Sequence, residues 1–361
     1  MRYLHITVLL ISSFIISACN AQIESETTSM VQRIDAISAD YTYDSGDVVK
    51  RLYLDKAGDM WICTTKEGVY KYNGNSFTNI SRADGLCSNH VDAIIEDHKG
   101  TIWFGTDKGL CHYDGNSYTT IPLPQDDPQD VSPLTDHPSR SSEVVLSLIQ
   151  ARSGDFWVGS DGSGAYSYDG KSFTPYVKYA GRLQSDSTYN NCITSILEDS
   201  KGHIWISSFT HGGLTEYDGD QLIHHALKDG YGDGMVSTSY MDSEGHLWFG
   251  TRNSGIYRYN GVEFKNIKDA SSGESIAMAC MVEDRNGLIW IGSFARKGVY
   301  TYDGTSITPL DIDGSDLLYD IKCIAMDKAG HIWFGGRYGL LWRYDGNELK
   351  DFTQAKRAAL Q

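Results

Sequence analysis

Hydrophobic and polar positions along the chain recur as one block. An apolar run ends in aspartate, a polar turn carries a glycine, an apolar run surrounds a tryptophan, and a shorter run closes on tyrosine followed by Asp-Gly or Asn-Gly. Gly245 to Gly261, GHLWFGTRNSGIYRYNG, shows its second half plainly. The block occurs seven times, anchored on Trp61, Trp103, Trp157, Trp205, Trp248, Trp290 and Trp333, spaced 42, 54, 48, 43, 42 and 43 residues apart. A glycine stands three residues before each tryptophan and an aspartate six before, Ala151 being the exception. Self-similarity at this period marks a repeat protein.

Each block reads as four strands. The run before the aspartate, such as Val91 to Asp97, is the first. In Asp-x-x-Gly the carboxylate accepts turn amides and the glycine takes a backbone conformation with positive φ. Ile-Trp-Phe-Gly-Thr and its variants form a second strand apolar on both faces, and the third ends at the tyrosine. The Asp/Asn-Gly pair predicts a two-residue turn into a fourth strand such as Ser76 to Asn79. A four-stranded sheet with two apolar faces must be covered, and seven cover one another by stacking in a ring. A linear stack would need polar end caps, yet the first and last repeats are as apolar as the middle ones. The prediction is an all-β chain, a seven-bladed β-propeller of four-stranded antiparallel blades.

The N-terminus stands outside this pattern. Arg2, an apolar run from Ile6 to Ile16 and then Ser17-Ala18-Cys19 read as a secretion signal, too short to span a membrane. The ending resembles the bacterial lipoprotein box, which implies cleavage before Cys19 and lipidation of that cysteine; an ordinary signal cut at Ala18 or Ala21 is the alternative. The organisation expected is a signal peptide over 1–18, a lipidated flexible tether over 19–42, the propeller over 43–354 and a C-terminal tail over 355–361. Ser38 to Tyr43 is a candidate strand for closing the ring on blade seven, in place of or beside Leu349 to Thr353.

Composition changes the picture in two ways. With 31 basic and 47 acidic side chains the chain has a formal net charge of −16, which argues against a nucleic-acid partner. Much of the acid lies in the repeated turns, so it says little about a ligand. The cysteines other than Cys19 show no zinc or disulfide framework and are expected as buried free thiols, with Cys87 and Cys192 the best placed for any disulfide.

Departures from the repeat locate function, because the scaffold does not require them. All of them fall at one end of the ring. The Asp-x-x-Gly and Tyr-Asp-Gly turns share the uniform end; the connections after strands two and four share the other. There Pro122 to Glu143 forms a long proline-rich excursion and Tyr176 to Asn191 a smaller insertion. Phe209 and His211 mark the blade-four loop, Arg252 blade five, Phe294 and Arg296 blade six, and Arg337 and Tyr338 blade seven, whereas Thr65 to Gly68 and Thr106 to Gly109 are plain. Aromatic faces stack on sugar rings and guanidinium forks bind hydroxyls or carboxylates, so these seven residues are the candidate ligand-binding set. A packing role for Phe209 and Phe294 between blades is the alternative.

Motifs of catalysis are thin: no Gly-x-Ser-x-Gly, His-Glu-x-x-His or phosphate loop occurs. No cofactor and no metal are expected. His203, His246 and His331 follow turn glycines at the uniform end and are not expected to share a metal. Asp311 to Asp316 and Asp229 to Asp233 lack the rest of a calcium loop.

From Glu96-Asp97-x-x-Gly100-x-Ile102-Trp103-Phe104-Gly105-Thr106 to Gly109-Leu110 and Tyr113-Asp114-Gly115, the sequence resembles the two-component regulator propeller repeat, and the likeness extends from Asp47 to about Phe352. That resemblance implies the periplasmic sensor propellers of hybrid histidine kinases, many of which detect oligosaccharides, here with one ring and no kinase segment. It carries over fold and export, and no binding residue. The expected protein is a monomeric, exported, lipid-anchored binding component of the bacterial cell envelope, attached to the membrane through its N-terminal lipid only and engaging an oligosaccharide or a partner protein through its loop-rich face. The alternative is a propeller enzyme acting on polysaccharide, a lyase or glycoside hydrolase.

Overall fold

The computed structural model describes residues 46–124, 143–177, 192–209, 213–225, 235–251, 254–268, 273–294 and 298–360. They build seven four-stranded antiparallel sheets, each from one contiguous stretch with its strands in sequence order. Blade one comprises Val49–Leu54, Met60–Thr64, Val69–Tyr72 and Phe77–Ile80; blade seven comprises Ile321–Met326, Ile332–Gly336, Leu341–Tyr344 and Leu349–Asp351. First strands pack on the first strands of neighbouring blades, including blade seven on blade one, so they line the inside of a closed ring. Residues Asp47–Gln361 form one compact unit.

The repeated residues have definite tasks. The aspartate six before each tryptophan accepts twice: in blade two, Asp97 Oδ1 takes the amides of Lys99 and Thr101 at 2.9 and 2.8 Å, and Oδ2 takes the Trp103 indole N–H at 3.0 Å. The same indole bond joins Trp61 to Asp55, Trp205 to Asp199, Trp248 to Asp242, Trp290 to Asp284 and Trp333 to Asp327. Turn and core are thus tied by one side chain, except in blade three, where Ala151 keeps only the backbone turn.

The second-strand glycine has a different reason. A Cβ on Gly105 would lie 2.6 Å from Val145 Cγ1 of blade three, and one on Gly335 would lie 2.5 Å from Val49 Cγ1 of blade one. Each glycine is the hollow into which the next blade's first strand packs, and the last hollow receives the first blade. Among the described residues the ring therefore closes with no exchanged strand. Ser38 to Tyr43, the candidate closing strand, lies outside the described residues, and Leu349–Asp351 is an ordinary fourth strand.

Closure is reinforced by the end of the chain. The stretch expected as a tail, 355–361, begins inside a short helix, Thr353–Arg357, that buries Lys356 completely. Its ammonium lies 3.2 Å from Glu67 Oε2 and 3.8 Å from Asp47 Oδ2, and 4.7 Å from the centre of the Tyr70 ring, all in or beside blade one. Burial pushes the lysine down against the pull of the two carboxylates, and pushes Asp47 up against the pull of the lysine. The blade-one loop holding Glu67 looked plain in sequence; it is half of this clasp.

Two further expectations are corrected. The Tyr-Asp-Gly hairpin is not a two-residue turn: Tyr72 pairs with Phe77, and Asn73 Oδ1 accepts the amides of Asn75 and Ser76 at 3.0 and 2.9 Å. The side chain closes a four-residue loop, and the Tyr72 hydroxyl donates to the Gly74 carbonyl at 2.8 Å. Among the cysteines, Cys87 is bonded to Cys111, with Cα atoms 6.0 Å apart. The connection leading into blade two folds over that blade's third strand, beside Leu86 and Phe104, and brings the thiols together. Cys63, Cys280 and Cys323 are buried free thiols, and Cys192 is buried as well.

Candidate binding site

At the loop-rich end, two devices recur. The hydroxyl ending the second strand folds back on its own loop: Thr64 Oγ1 donates to the Gly68 carbonyl and accepts the Glu67 amide, both at 2.9 Å, and Thr106, Ser160 and Thr251 make the same pair of bonds. Each first strand also contains a β-bulge at one position, occupied in turn by Lys50, Asp92, Leu146, Thr194, Ser237, Ala279 and Lys322. A bulge re-aims the side chain it inserts. In blades one and four it turns that residue toward the seam with a neighbour: Lys50 reaches Asp92 of blade two at 3.0 Å, and Thr194 donates to the Val236 carbonyl of blade five at 2.7 Å.

In blade six Ser293 donates to the Ala277 carbonyl at 2.8 Å, and in blade seven Gly336 replaces the hydroxyl altogether. The loop that follows Gly336 holds Tyr338 at φ 62°, and the approach to blade seven holds Asp320 at φ 49°. These are the non-glycine residues with positive φ among those described. Left-handed backbone in such residues costs on the order of 1 kcal/mol or more and collects at functional sites.

Around this backbone the side chains form a connected patch. Asp320 bridges two cations, accepting from Lys322 Nζ at 2.5 Å and pairing with Arg337 Nε at 2.6 Å. Lys322 lies 4.5 Å from the centre of the Phe294 ring of blade six. The Asp320 charge holds the Arg337 guanidinium up, while burial, with Tyr338 and Asp320 nearby, pushes the Tyr319 hydroxyl up. Arg357 donates to the Tyr338 carbonyl at 3.0 Å, connecting the patch to the C-terminal clasp. Phe294 and Arg337 are exposed, with Tyr338 half-buried, so an aromatic ring and a guanidinium both meet solvent.

Of the seven residues predicted from sequence, Phe294, Arg337 and Tyr338 belong to this patch. Phe209 stands in blade four, half-buried, its amide donating to the Cys192 carbonyl at 2.9 Å. His211, Arg252 and Arg296 lie outside the described residues, as do Cys19, most of Pro122 to Glu143 and of Tyr176 to Asn191, and Asp229 to Asp233. Asp320 and Lys322 were missed because they look like ordinary strand-entry residues; the available signal was Lys322 occupying the same repeat position as Lys50. His203, His246 and His331 sit on three separate blades, each beside its own turn aspartate. Asp311, Asp313 and Asp316 are not among the groups that gather ligand atoms.

Residues 85–108, 190–210 and 230–253 match the family profile of the two component regulator propeller. These are two-component regulator propeller repeats. Histidine kinase P4 of Formosa agariphila is 25% identical over 201 residues, covering 53% of this chain and 14% of that protein, so the likeness spans a small part of the relative's length. Among solved structures, a streptogramin B lyase shares the fold at 15% identity, with 85% of this chain and 94% of that chain covered and a TM-score of 0.62. An extracellular domain from B. thetaiotaomicron assigned to a one component system is 23% identical over 85% of this chain and 43% of its own, with a TM-score of 0.47. The profile match falls in blades two, four and five, and no helix of the described residues is long and apolar enough to cross a membrane.

Proposed function

We propose that this propeller is an exported, lipid-anchored binding component that engages an oligosaccharide, or else a partner protein, through its loop-rich face at blades six and seven. The observation that carries the reading is the pair of left-handed non-glycine residues, Asp320 and Tyr338, at the patch where Phe294 and Arg337 reach solvent. A ring that needed only stability would place glycine at both, as it does at its other positive-φ turns. The patch offers what a sugar requires: an apolar ring face for stacking and a guanidinium fork for hydroxyls or a carboxylate. Its acid, Asp320, is already committed to two cations, which favours binding over acid–base chemistry. The likeness of fold to a streptogramin B lyase adds nothing to the polysaccharide-enzyme reading, because at that identity a shared fold does not transfer activity.

A glycan array run beside a reducing-end release assay on the same polysaccharides tests this. Binding without release is expected; release would make the protein an enzyme. Arg337→Ala and Phe294→Ala should each weaken binding at least tenfold, about 1.4 kcal/mol. Tyr338→Gly separates function from folding, because it removes the aromatic group while relieving the left-handed backbone: affinity should fall while the melting temperature holds or rises. Unchanged affinity in all three variants would place the site elsewhere. Palmitate labelling that survives Cys19→Ala would rule out the lipid at that residue.

A further inference from the structure

At the opposite end of the ring, blade four carries a side-chain arrangement that its sister blades lack. On each third strand one residue faces the anchor tryptophan across the sheet, and in blades one, five and seven it is a cation: Lys71, Arg258 and Arg343. In blade four it is Glu216. Its carboxylate lies between two imidazoles on the same face of the sheet, with His203 Nδ1 at 2.6 Å from Oε1 and His225 Nε2 at 2.9 Å from Oε2. Asp199 Oδ2 is 3.9 Å from His203 Nδ1, and the ligand atoms of Asp199, His203 and Glu216 lie within 4.8 Å of one another. The four residues come from the first turn, the third strand and the fourth strand, so sequence spacing gives no hint of them.

The groups are held. The His225 ring stacks on Trp205 with centroids 4.9 Å apart at 21°, and Phe264 of blade five walls it at 5.5 Å. Asp199 Oδ1 takes the amides of Lys201 and His203, while Oδ2 faces the Trp205 indole. The side chains of His203, Glu216 and His225 are 26%, 13% and 12% exposed, sheltered yet open to a small ion. Blade five supplies an internal contrast. Its Asp242, Glu244 and His246 also gather ligand atoms, but Arg258 Nη2 stands 2.7 Å from His246 Nδ1 and 3.1 Å from Glu244, so a cation is already in place. In blade four the equivalent position contributes an anion, and among the described residues its ion-pair partners are the two histidines.

We propose that Asp199, His203 and Glu216, with His225 holding the second oxygen of Glu216 as an orienting group, form a binding site for a divalent metal of the zinc type. An imidazole nitrogen with two carboxylates suits Zn²⁺, which takes nitrogen as well as oxygen, rather than Ca²⁺ or Mg²⁺, which take oxygen. The His203 nitrogen now hydrogen-bonded to Glu216 yields its proton to the ring's other nitrogen, so a neutral imidazole binds without net proton loss. The ion would join the first turn to the third strand of blade four, away from the loop-rich face, and the site is independent of the ligand proposed there.

The full chain, without a histidine affinity tag and stripped with chelator, should bind one Zn²⁺ in a calorimetric titration with ZnCl₂. It should also give the intense visible absorption of near-tetrahedral Co²⁺ with CoCl₂. Glu216→Gln and His203→Gln should each weaken Zn²⁺ at least tenfold and abolish the Co²⁺ bands, whereas His246→Gln in blade five should change neither. Circular dichroism of each variant confirms that it is folded. Zinc binding that persists in both blade-four variants, a preference for Ca²⁺ or Mg²⁺, or no binding by the wild-type chain would overturn the site.

Discussion

Removing the turn aspartate of one blade, and supplying it to the blade that lacks it, should move stability in opposite directions. In Asp97→Ala the buried Trp103 indole loses its acceptor and the amides of Lys99 and Thr101 lose theirs. Hydrogen bonds to a charged group contribute about 1.5 to 3 kcal/mol each at most, and an orphaned buried donor costs about 1 to 3. The turn amides recover part of their loss in water, so the net cost should be about 2 to 4 kcal/mol. Blade three runs the converse experiment: the Ala151 turn keeps the same backbone bonds, Gly154 N–H to the Ala151 carbonyl and Ala151 N–H to the Asp155 carbonyl, both at 2.8 Å. Ala151→Asp should therefore regain an indole acceptor beside Trp157 at the desolvation cost its sister blades already meet, a net gain of about 1 kcal/mol. At roughly 2.1 cal/mol/K per residue over Asp47–Gln361, the loss corresponds to about 3 to 6 °C and the gain to 1 or 2 °C. Urea midpoints at constant slope resolve both. If Asp97→Ala costs less than about 0.5 kcal/mol, or Ala151→Asp destabilises, the carboxylate–indole bond is not what the repeated aspartate contributes.

Trp205→Ala should cost about 3 to 5 kcal/mol as a truncation in a sealed interblade core, while Lys171→Ala on an exposed hairpin should change the urea midpoint by almost nothing. Lys356→Met should cost about 3 to 5 kcal/mol, because it leaves Glu67 and Asp47 buried without their cation; Glu67→Gln in the same chain should restore part of it. Acid should weaken the ring through its turns. Burial raises Asp55, but the Trp61 indole and the Asp59 and Gly58 amides outweigh it and hold the carboxyl below its ordinary 3.8. That contribution is complete above 3.8 and lost as pH falls through the folded value, so Asp55→Asn should flatten the acid limb of a melting curve series; an unchanged limb would contradict the assignment.

The blades were legible in the sequence because their residues are set by contacts within one repeat. Tryptophan, turn glycine and hairpin tyrosine each satisfy a neighbour a few positions away, so periodicity reports them directly. What escaped is whatever joins distant positions. Cys111 looked like one more strand residue, since the strand face that meets Cys87 depends on how the preceding connection folds over it. Lys356 and Glu67 stand 289 residues apart, and no repeat carries a second copy of their pairing. At the loop-rich face the exposed aromatic and arginine residues of blades six and seven stood out by contrast with plainer loops, whereas Asp320 became visible only once its backbone and its two cations were seen together.

Each blade is made from a single uninterrupted stretch of chain, and the seam between the last and the first uses the same hollow of glycine and β-branched knob as Gly105 and Val145 do between blades two and three. A gene segment encoding one blade can therefore be duplicated, lost or moved without leaving any strand unpartnered, which an interlocked ring does not allow. The same property lets the covalent ends be relocated. A permutant that starts at Val236, with the old termini joined by a flexible linker, would break no sheet; the Lys356 clasp would then hold two interior segments, freed from any duty at a chain end.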